Sequence, residues 1–172
     1  MKKRIIALGL LWCLSAVMLQ AARVDTVLVR SAAMNKDVKV VYVLPDKAIG
    51  KQACPVVYLL HGYGGNARSW VQLKPELPQM ADEKGIIFVC PDGKNSWYWD
   101  SPENPAYRYE TFVTSELVKY TDGNYATIPD RKARAISGLS MGGHGALWSA
   151  IRHKDVFGAA GSMSGGVDTG SR

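Results

Sequence analysis

The hexapeptide Gly138-Leu139-Ser140-Met141-Gly142-Gly143 restricts this chain more than any other stretch. It joins a short apolar run, residues 133–137 (ARAIS), to residues 141–153, which carry Ala146, Leu147, Ala150 and Ile151 at helical spacing. A strand that enters a helix through so few residues must turn sharply. The residue at the apex is forced into strained backbone, and its side chain is held clear of the chain. Positions two before and two after the apex come too close for side chains, and both are glycine here. The helix then points its free N–H groups and its dipole at the apex, which favours negative charge there. Ser140 is therefore a candidate nucleophile, and the Met141 amide a candidate donor to an oxyanion. The plainer reading is a glycine-rich turn with an incidental serine. The strand before it and the helix after it argue against that.

The rest of the chain repeats the same alternation. Residues 55–60 (PVVYLL) and 86–90 (IIFVC) are nearly continuous apolar runs, as expected for strands buried on both faces. Residues 157–163 read as a further strand. Residues 26–30 and 38–44 alternate and are β-branched, which predicts an early antiparallel pair joined near residues 34–37. Helices are expected over residues 68–83, broken near Pro75 and Pro78, and over residues 107–120, with Phe112, Leu117 and Tyr120 near one face. Strands alternating with helices predict an α/β domain with a mostly parallel sheet covered on both faces. Residues 92–105, rich in Gly, Asn, Ser and Pro, read as a long loop within it.

A second glycine-rich segment, His61-Gly62-Tyr63-Gly64-Gly65, directly follows the PVVYLL run. Such a loop brings backbone N–H groups close to a substrate oxygen. Tyr63 is the expected second oxyanion donor, with Gly64 next. Alone the loop is equally a plain strand-to-helix turn; beside Gly-x-Ser-x-Gly on a neighbouring strand it gains its chemical meaning. Cys54 opens one strand and Cys90 closes another, so in a parallel sheet they lie too far apart for a disulfide and are expected to be free thiols.

The first residues form a pattern of their own. Lys2, Lys3 and Arg4 precede an apolar run to Leu19, and Ala21 and Ala22 follow. That predicts a signal peptide over residues 1–22 and export to a periplasmic or extracellular space; an uncleaved anchor is the alternative. Without those three cations the balance falls from +6 to 18 basic against 15 acidic residues, a net +3. So mild a charge, with no basic stripe, argues against a nucleic-acid partner. No other stretch is apolar for long enough to span a bilayer, so no stable membrane association is expected after cleavage.

Taken together, these motifs resemble the esterase family of α/β-hydrolases that includes esterase D, S-formylglutathione hydrolase, feruloyl and acetyl-xylan esterases, and mycolyltransferases. The resemblance runs from about Thr26 to the last residue. It rests on HGYGG at 61–65, PDG at 91–93, Ser96-Trp97-Tyr98 with Asp100-Ser101, Glu110-Thr111-Phe112 with Glu116-Leu117, GLSMGG at 138–143 and FGAAGSMSGG at 157–166. It implies the α/β-hydrolase fold over residues 23–172, ester hydrolysis without metal or cofactor, Ser140 as nucleophile, and the amides of Tyr63 and Met141 as the oxyanion hole.

A serine needs a base, and the base an orienting carboxylate. In this fold the order along the chain is serine, acid, histidine. After Ser140 only His144 and His153 remain. His144 sits in the first helical turn, where packing or hydrogen bonding is its expected role. His153 lies a helix length away and is expected to be exposed at the helix end. His61 is expected to be structural. Asp168 is a candidate acid, although the family places that residue one strand later. The expectation is thus an N-terminal portion of an esterase domain, truncated before its acid and base. Trp97 and Tyr98 lie in the loop beyond the carboxyl ends of the strands, where ligands bind; they either stack on substrate or pack beneath the loop. The reaction expected is carboxylic-ester hydrolysis through an acyl-enzyme, on a small-molecule or polysaccharide ester and most simply an acylated carbohydrate of feruloyl or acetyl type. The alternatives are acyl transfer on the same fold and a non-catalytic remnant or binding module.

Overall fold

The computed structural model of the chain describes residues 22–166, so all of the expected leader but Ala22, and Asp168, lie outside the described residues. Within it the strands are β1 (Arg23–Ser31), β2 (Lys36–Leu44), β3 (Val56–Leu60), β4 (Ile87–Pro91), β5 (Arg134–Leu139) and β6 (Ala159–Met163). The helices are α1 (Asp46–Ile49), α2 (Ser69–Leu73), α3 (Leu77–Lys84), α4 (Tyr109–Thr111), α5 (Leu117–Asn124) and α6 (Met141–Arg152). One sheet runs in the order β1-β2-β4-β3-β5-β6. β1 and β2 pair antiparallel, as do β2 and β4; β4, β3, β5 and β6 are parallel. The α/β expectation and its early antiparallel pair are both borne out.

The apolar runs are continuous because both faces of the sheet are covered. Val40, Tyr42, Val56, Tyr58, Leu60, Ile87 and Val89 pack on one side with Phe112, Leu117 and Met141. Val41, Val43, Leu59, Phe88 and Cys90 pack on the other with Trp70, Leu77 and Ala81. Successive strand residues thus alternate between two dry cores, which leaves no polar position. Cys54 and Cys90 are both free and buried. Cys54 lies two residues before Val56, and Cys90 three after Val56's partner Ile87, so about 16 Å of sheet separates them at about 3.3 Å per residue.

Two expected helices differ in detail. The 68–83 segment breaks at residues 74–76, as Pro75 demands. Pro78, however, sits in the first turn of α3, where no donor is needed. The 107–120 segment is one helical path from Tyr109 to Asn124, interrupted by a π turn at Phe112–Glu116. Thr114 Oγ1 donates to the Glu110 carbonyl (2.8 Å) there. Phe112 and Leu117 are buried as expected. In α6 burial is concentrated in the first two turns, from Met141 to Ala146, with Ser149 beyond them. Ile151, expected on the apolar side, is 65% exposed. Small residues let the first turns sink against neighbouring backbone, and this close approach outweighs hydrophobic periodicity.

Candidate active site

The carboxyl ends of β3, β4 and β5 lie side by side where the strand order reverses about β3, the place where open parallel sheets hold ligands. Ser140 occupies the corner between β5 and α6 with φ 55° and ψ −117°, a region that side chains avoid. Its backbone explains how the strain is held. Its N–H donates to the Met163 carbonyl of β6 (2.8 Å), and its carbonyl accepts from His144 N–H (3.0 Å). The hydroxyl makes no capping bond to α6, and the residue is exposed. A Cβ on Gly138 would lie 2.3 Å from the Gly142 backbone, and one on Gly142 would lie 2.2 Å from the Leu60 carbonyl. Only glycine permits so tight a corner.

The 61–65 loop lies against this corner. A Cβ on Gly62 would be 3.3 Å from the Leu139 carbonyl and 3.6 Å from Ser140 Cβ. Gly64 N–H donates to Asn95 Oδ1 (2.8 Å) and Gly65 N–H to the Gly62 carbonyl (3.0 Å). The Tyr63 and Met141 amides donate to no described residue. Of the two donors considered for this loop, Gly64 is therefore spent and Tyr63 is open. The Tyr63 side chain is 66% exposed. Met141 is fully buried, with its amide in the first turn of α6.

The histidines have other employment. His61 is buried; Gly93 N–H donates to its Nε2 (2.9 Å), and its Nδ1 lies 2.7 Å from the Gly62 carbonyl. An amide only donates and a carbonyl only accepts, so the ring is the neutral Nδ1–H tautomer with both nitrogens occupied. Its 3.7 Å approach to Asp92 is consequently no ion pair. Asp92 instead takes Lys94 N–H (3.0 Å) and Lys94 Nζ (2.8 Å). Asp92 thus fixes the loop through Lys94.

His144 is likewise bound at both nitrogens. Trp99 Nε1 donates to its Nε2 (2.9 Å), and its Nδ1 lies 2.6 Å from the Gly166 carbonyl. Trp97 meets its ring edge-on at 5.5 Å, and Trp148 stacks at 6.1 Å. His153, expected to be exposed at the helix end, is instead half-buried there against Glu110. Its Nε2 bonds Glu110 Oε1 (2.8 Å), which also accepts from Arg152 Nε (2.7 Å), while Glu110 Oε2 takes Trp148 Nε1 (2.8 Å). Glu110 is the residue that sequence reasoning missed. This buried carboxylate ties α4 to the second half of the serine-bearing helix. The only signal of it in the sequence was a family motif with no role attached.

The two aromatics proposed for substrate part company. Tyr98 is fully buried, with its Oη donating to the His61 carbonyl (3.2 Å) and its ring against Gly93 and Gly145. It is scaffold and does not face the site, which corrects the expectation. The polar tip finds a backbone acceptor under the loop, and the ring fills the space two glycines leave. Trp97 is 37% exposed and flanks His144; Trp99 is 39% exposed. Beside Trp99 an open cleft of about 330 Å³ is lined by Asn95, Trp99, Asp100, Ser101, Asn104 and Tyr107. Among the described residues no cluster of three metal-ligating side chains occurs, and no helix is long and apolar enough to cross a membrane.

Comparison with known proteins agrees with this fold. The family described as "Putative esterase" matches residues 31–171. An acetyl esterase of Caldicellulosiruptor saccharolyticus is 28% identical over 135 residues, covering 74% of this chain and 50% of that protein. A diacylglycerol acyltransferase/mycolyltransferase Ag85A of Mycobacterium gordonae is 34% identical over 155 residues, covering 84% and 43%. The structure of a ferulic acid esterase superposes with a TM-score of 0.74 at 31% identity, over 85% of this chain and 61% of that one. The chain thus spans about half the length of the curated relatives it matches.

Proposed function

Because the chain belongs to this esterase family of α/β-hydrolases, we propose that it serves carboxylic-ester hydrolysis, with Ser140 Oγ attacking the ester carbonyl carbon. The observation that carries the reading is the exposed Ser140 hydroxyl, free of any cap, at a strained corner against the 61–65 loop, with the Tyr63 and Met141 amides bonded to no described residue. As Oγ bonds to the carbonyl carbon and gives its proton to a general base, which later passes it to the departing alcohol, the Tyr63 and Met141 N–H groups receive the oxygen that turns negative, and the dipole of α6 adds to them. Collapse of the tetrahedral species expels the alcohol and leaves an acyl-serine, which water then cleaves. The substrate proposed is an acylated carbohydrate of feruloyl or acetyl type, met after export. The aromatic and amide-lined cleft beside Trp99 supports it, as do the acetyl and ferulic acid esterase relatives.

The base is none of the three histidines, since His61 and His144 are bound at both nitrogens and His153 is held by Glu110 at the far end of α6. A fluorophosphonate probe tests whether the nucleophile is nevertheless activated. Labelling that disappears in Ser140→Ala supports the esterase reading, and an unlabelled wild-type chain supports the non-catalytic one. The mycolyltransferase relative favours a second reading, in which an alcohol rather than water takes the acyl group. Product partition in the presence of added alcohol separates the two.

A further inference from the structure

His144 is bonded to three segments at once, and only one of these bonds belongs to its own helix. We propose that His144 is a positioning residue that latches the aromatic strap at Trp97–Trp99 beside the nucleophile, and so sets substrate affinity rather than the rate of the chemical step. The proposal rests on the esterase reading above for its kinetic part only.

The side chain of a helical residue lies over the turn N-terminal to its own Cα. For His144 that turn begins at Ser140, to whose carbonyl its N–H donates in the helix ladder (3.0 Å). From there Nε2 reaches across to the Trp99 indole N–H (2.9 Å), and Nδ1–H reaches the Gly166 carbonyl beyond β6 (2.6 Å). An indole N–H only donates and a carbonyl only accepts, so the ring is used as one acceptor and one donor. Trp97 and Trp99 both meet it edge-on, at 5.5 and 5.3 Å.

The strap needs such a fastening. Lys94, Trp97 and Tyr98 have φ of 50°, 56° and 60°, in the left-handed region that bulky residues avoid. Strain of this kind persists only where surrounding contacts over-determine it. Tyr98 is anchored from below by the His61 carbonyl, and Ser96 Oγ holds its backbone amide (3.0 Å). Neither contact fixes the exposed indoles of Trp97 and Trp99. That task falls to His144, with the Trp148 ring beside Trp99 (5.7 Å), and the His144 amide in turn bonds the Ser140 carbonyl.

The test uses the whole chain. The Trp99 indole N–H resonance, assigned with Trp99→Phe, is followed by hydrogen exchange in wild type, His144→Phe and His144→Gln. Loss of this one part-buried hydrogen bond predicts exchange about tenfold faster in His144→Phe. His144→Gln keeps one donor and one acceptor and is expected to restore most of the protection. In ester hydrolysis His144→Phe raises KM about tenfold with kcat nearly unchanged; Trp99→Phe does the same, and the double variant adds little, because both remove one interaction. Unchanged exchange in His144→Phe overturns the latch, as does a fall in kcat at constant KM. If His144→Phe does not fold, Trp99→Phe, which leaves His144 in place, decides by its KM. Should wild type show no hydrolysis, the esterase reading fails while the exchange measurement still decides the latch.

Discussion

The corner at Gly138–Gly143 and the loop at residues 92–105 both hold residues at positive φ, yet they are held in different ways. At the corner, backbone stands against backbone: Gly142 lies against Leu60, and Gly138 against Gly142. In the loop, side chains hold the strain: Ser96 on Tyr98, Tyr98 on His61 and Trp99 on His144. The first arrangement is local and dictated by residue size. The second is distributed over segments far apart in sequence. A constraint of the first kind is broken by adding one atom, and one of the second kind by removing many.

The largest effect is expected from the loop's buried anchor. Tyr98→Ala removes a fully buried ring and its hydrogen bond to the His61 carbonyl, and it leaves a cavity against Gly93 and Gly145. A loss of about 3–5 kcal/mol is expected in denaturant unfolding. The corner comes next. Gly142→Ala places a Cβ 2.2 Å from the Leu60 carbonyl, an atom that cannot swing aside, and overpacking of this kind costs about 1–3 kcal/mol. A matched control is Gly123→Ala, whose Cβ meets nothing within 4 Å. It should gain about 0.4–1 kcal/mol from reduced freedom of the unfolded chain. Similar losses in both alanine variants would erase the distinction between corner and helix.

This contrast also explains what could be read from the sequence. The strained corner at Ser140 was legible because size and backbone geometry act within a few residues, so glycine spacing reports it directly. The strands of the core were legible because two dry faces leave no polar position to interrupt them. Tyr98 was not, because whether an aromatic in a loop points in or out depends on what lies beneath it. Here two glycines, one of them 47 residues further on, made room for it. The role of Glu110 was hidden for the same reason. Its partners Trp148, Arg152 and His153 lie some forty residues away, and nothing in their spacing from Glu110 announces the contact.

Glu110 links the two regions, because α4 follows the loop and α6 follows the corner. Burial alone would raise its pKa, but hydrogen bonds from Arg152, Trp148 and His153 outweigh burial and hold it below the ordinary value of 4.5. A carboxyl that titrates lower when folded stabilises the fold fully above its unfolded pKa. It loses that contribution as the pH falls through the folded value. Stability should therefore drop on the acid side of about pH 4.5. Glu110→Gln should flatten that limb and lower stability near neutrality by about 1–3 kcal/mol, the cost of leaving buried donors poorly matched. An acid limb of unchanged slope in this variant would remove Glu110 as its source.

The smallest expected effect is also the sharpest, because the same substitution should have opposite signs in the two regions. Ser140 at φ 55° and Trp97 at φ 56° are both strained, and glycine relieves either. Relief is worth about 1–3 kcal/mol, offset by about 0.5–1 kcal/mol of extra unfolded-chain entropy. The Ser140 hydroxyl holds no structural contact among the described residues, so Ser140→Gly should raise stability by about 1 kcal/mol while abolishing probe labelling. Trp97 packs edge-on against His144, so Trp97→Gly surrenders that contact and most of a half-buried ring, and should lower stability. Thermal unfolding of the pair reads the sign directly. A gain for Ser140→Gly identifies the corner as strain maintained for chemistry; a loss there would mean that the serine side chain helps to hold the fold.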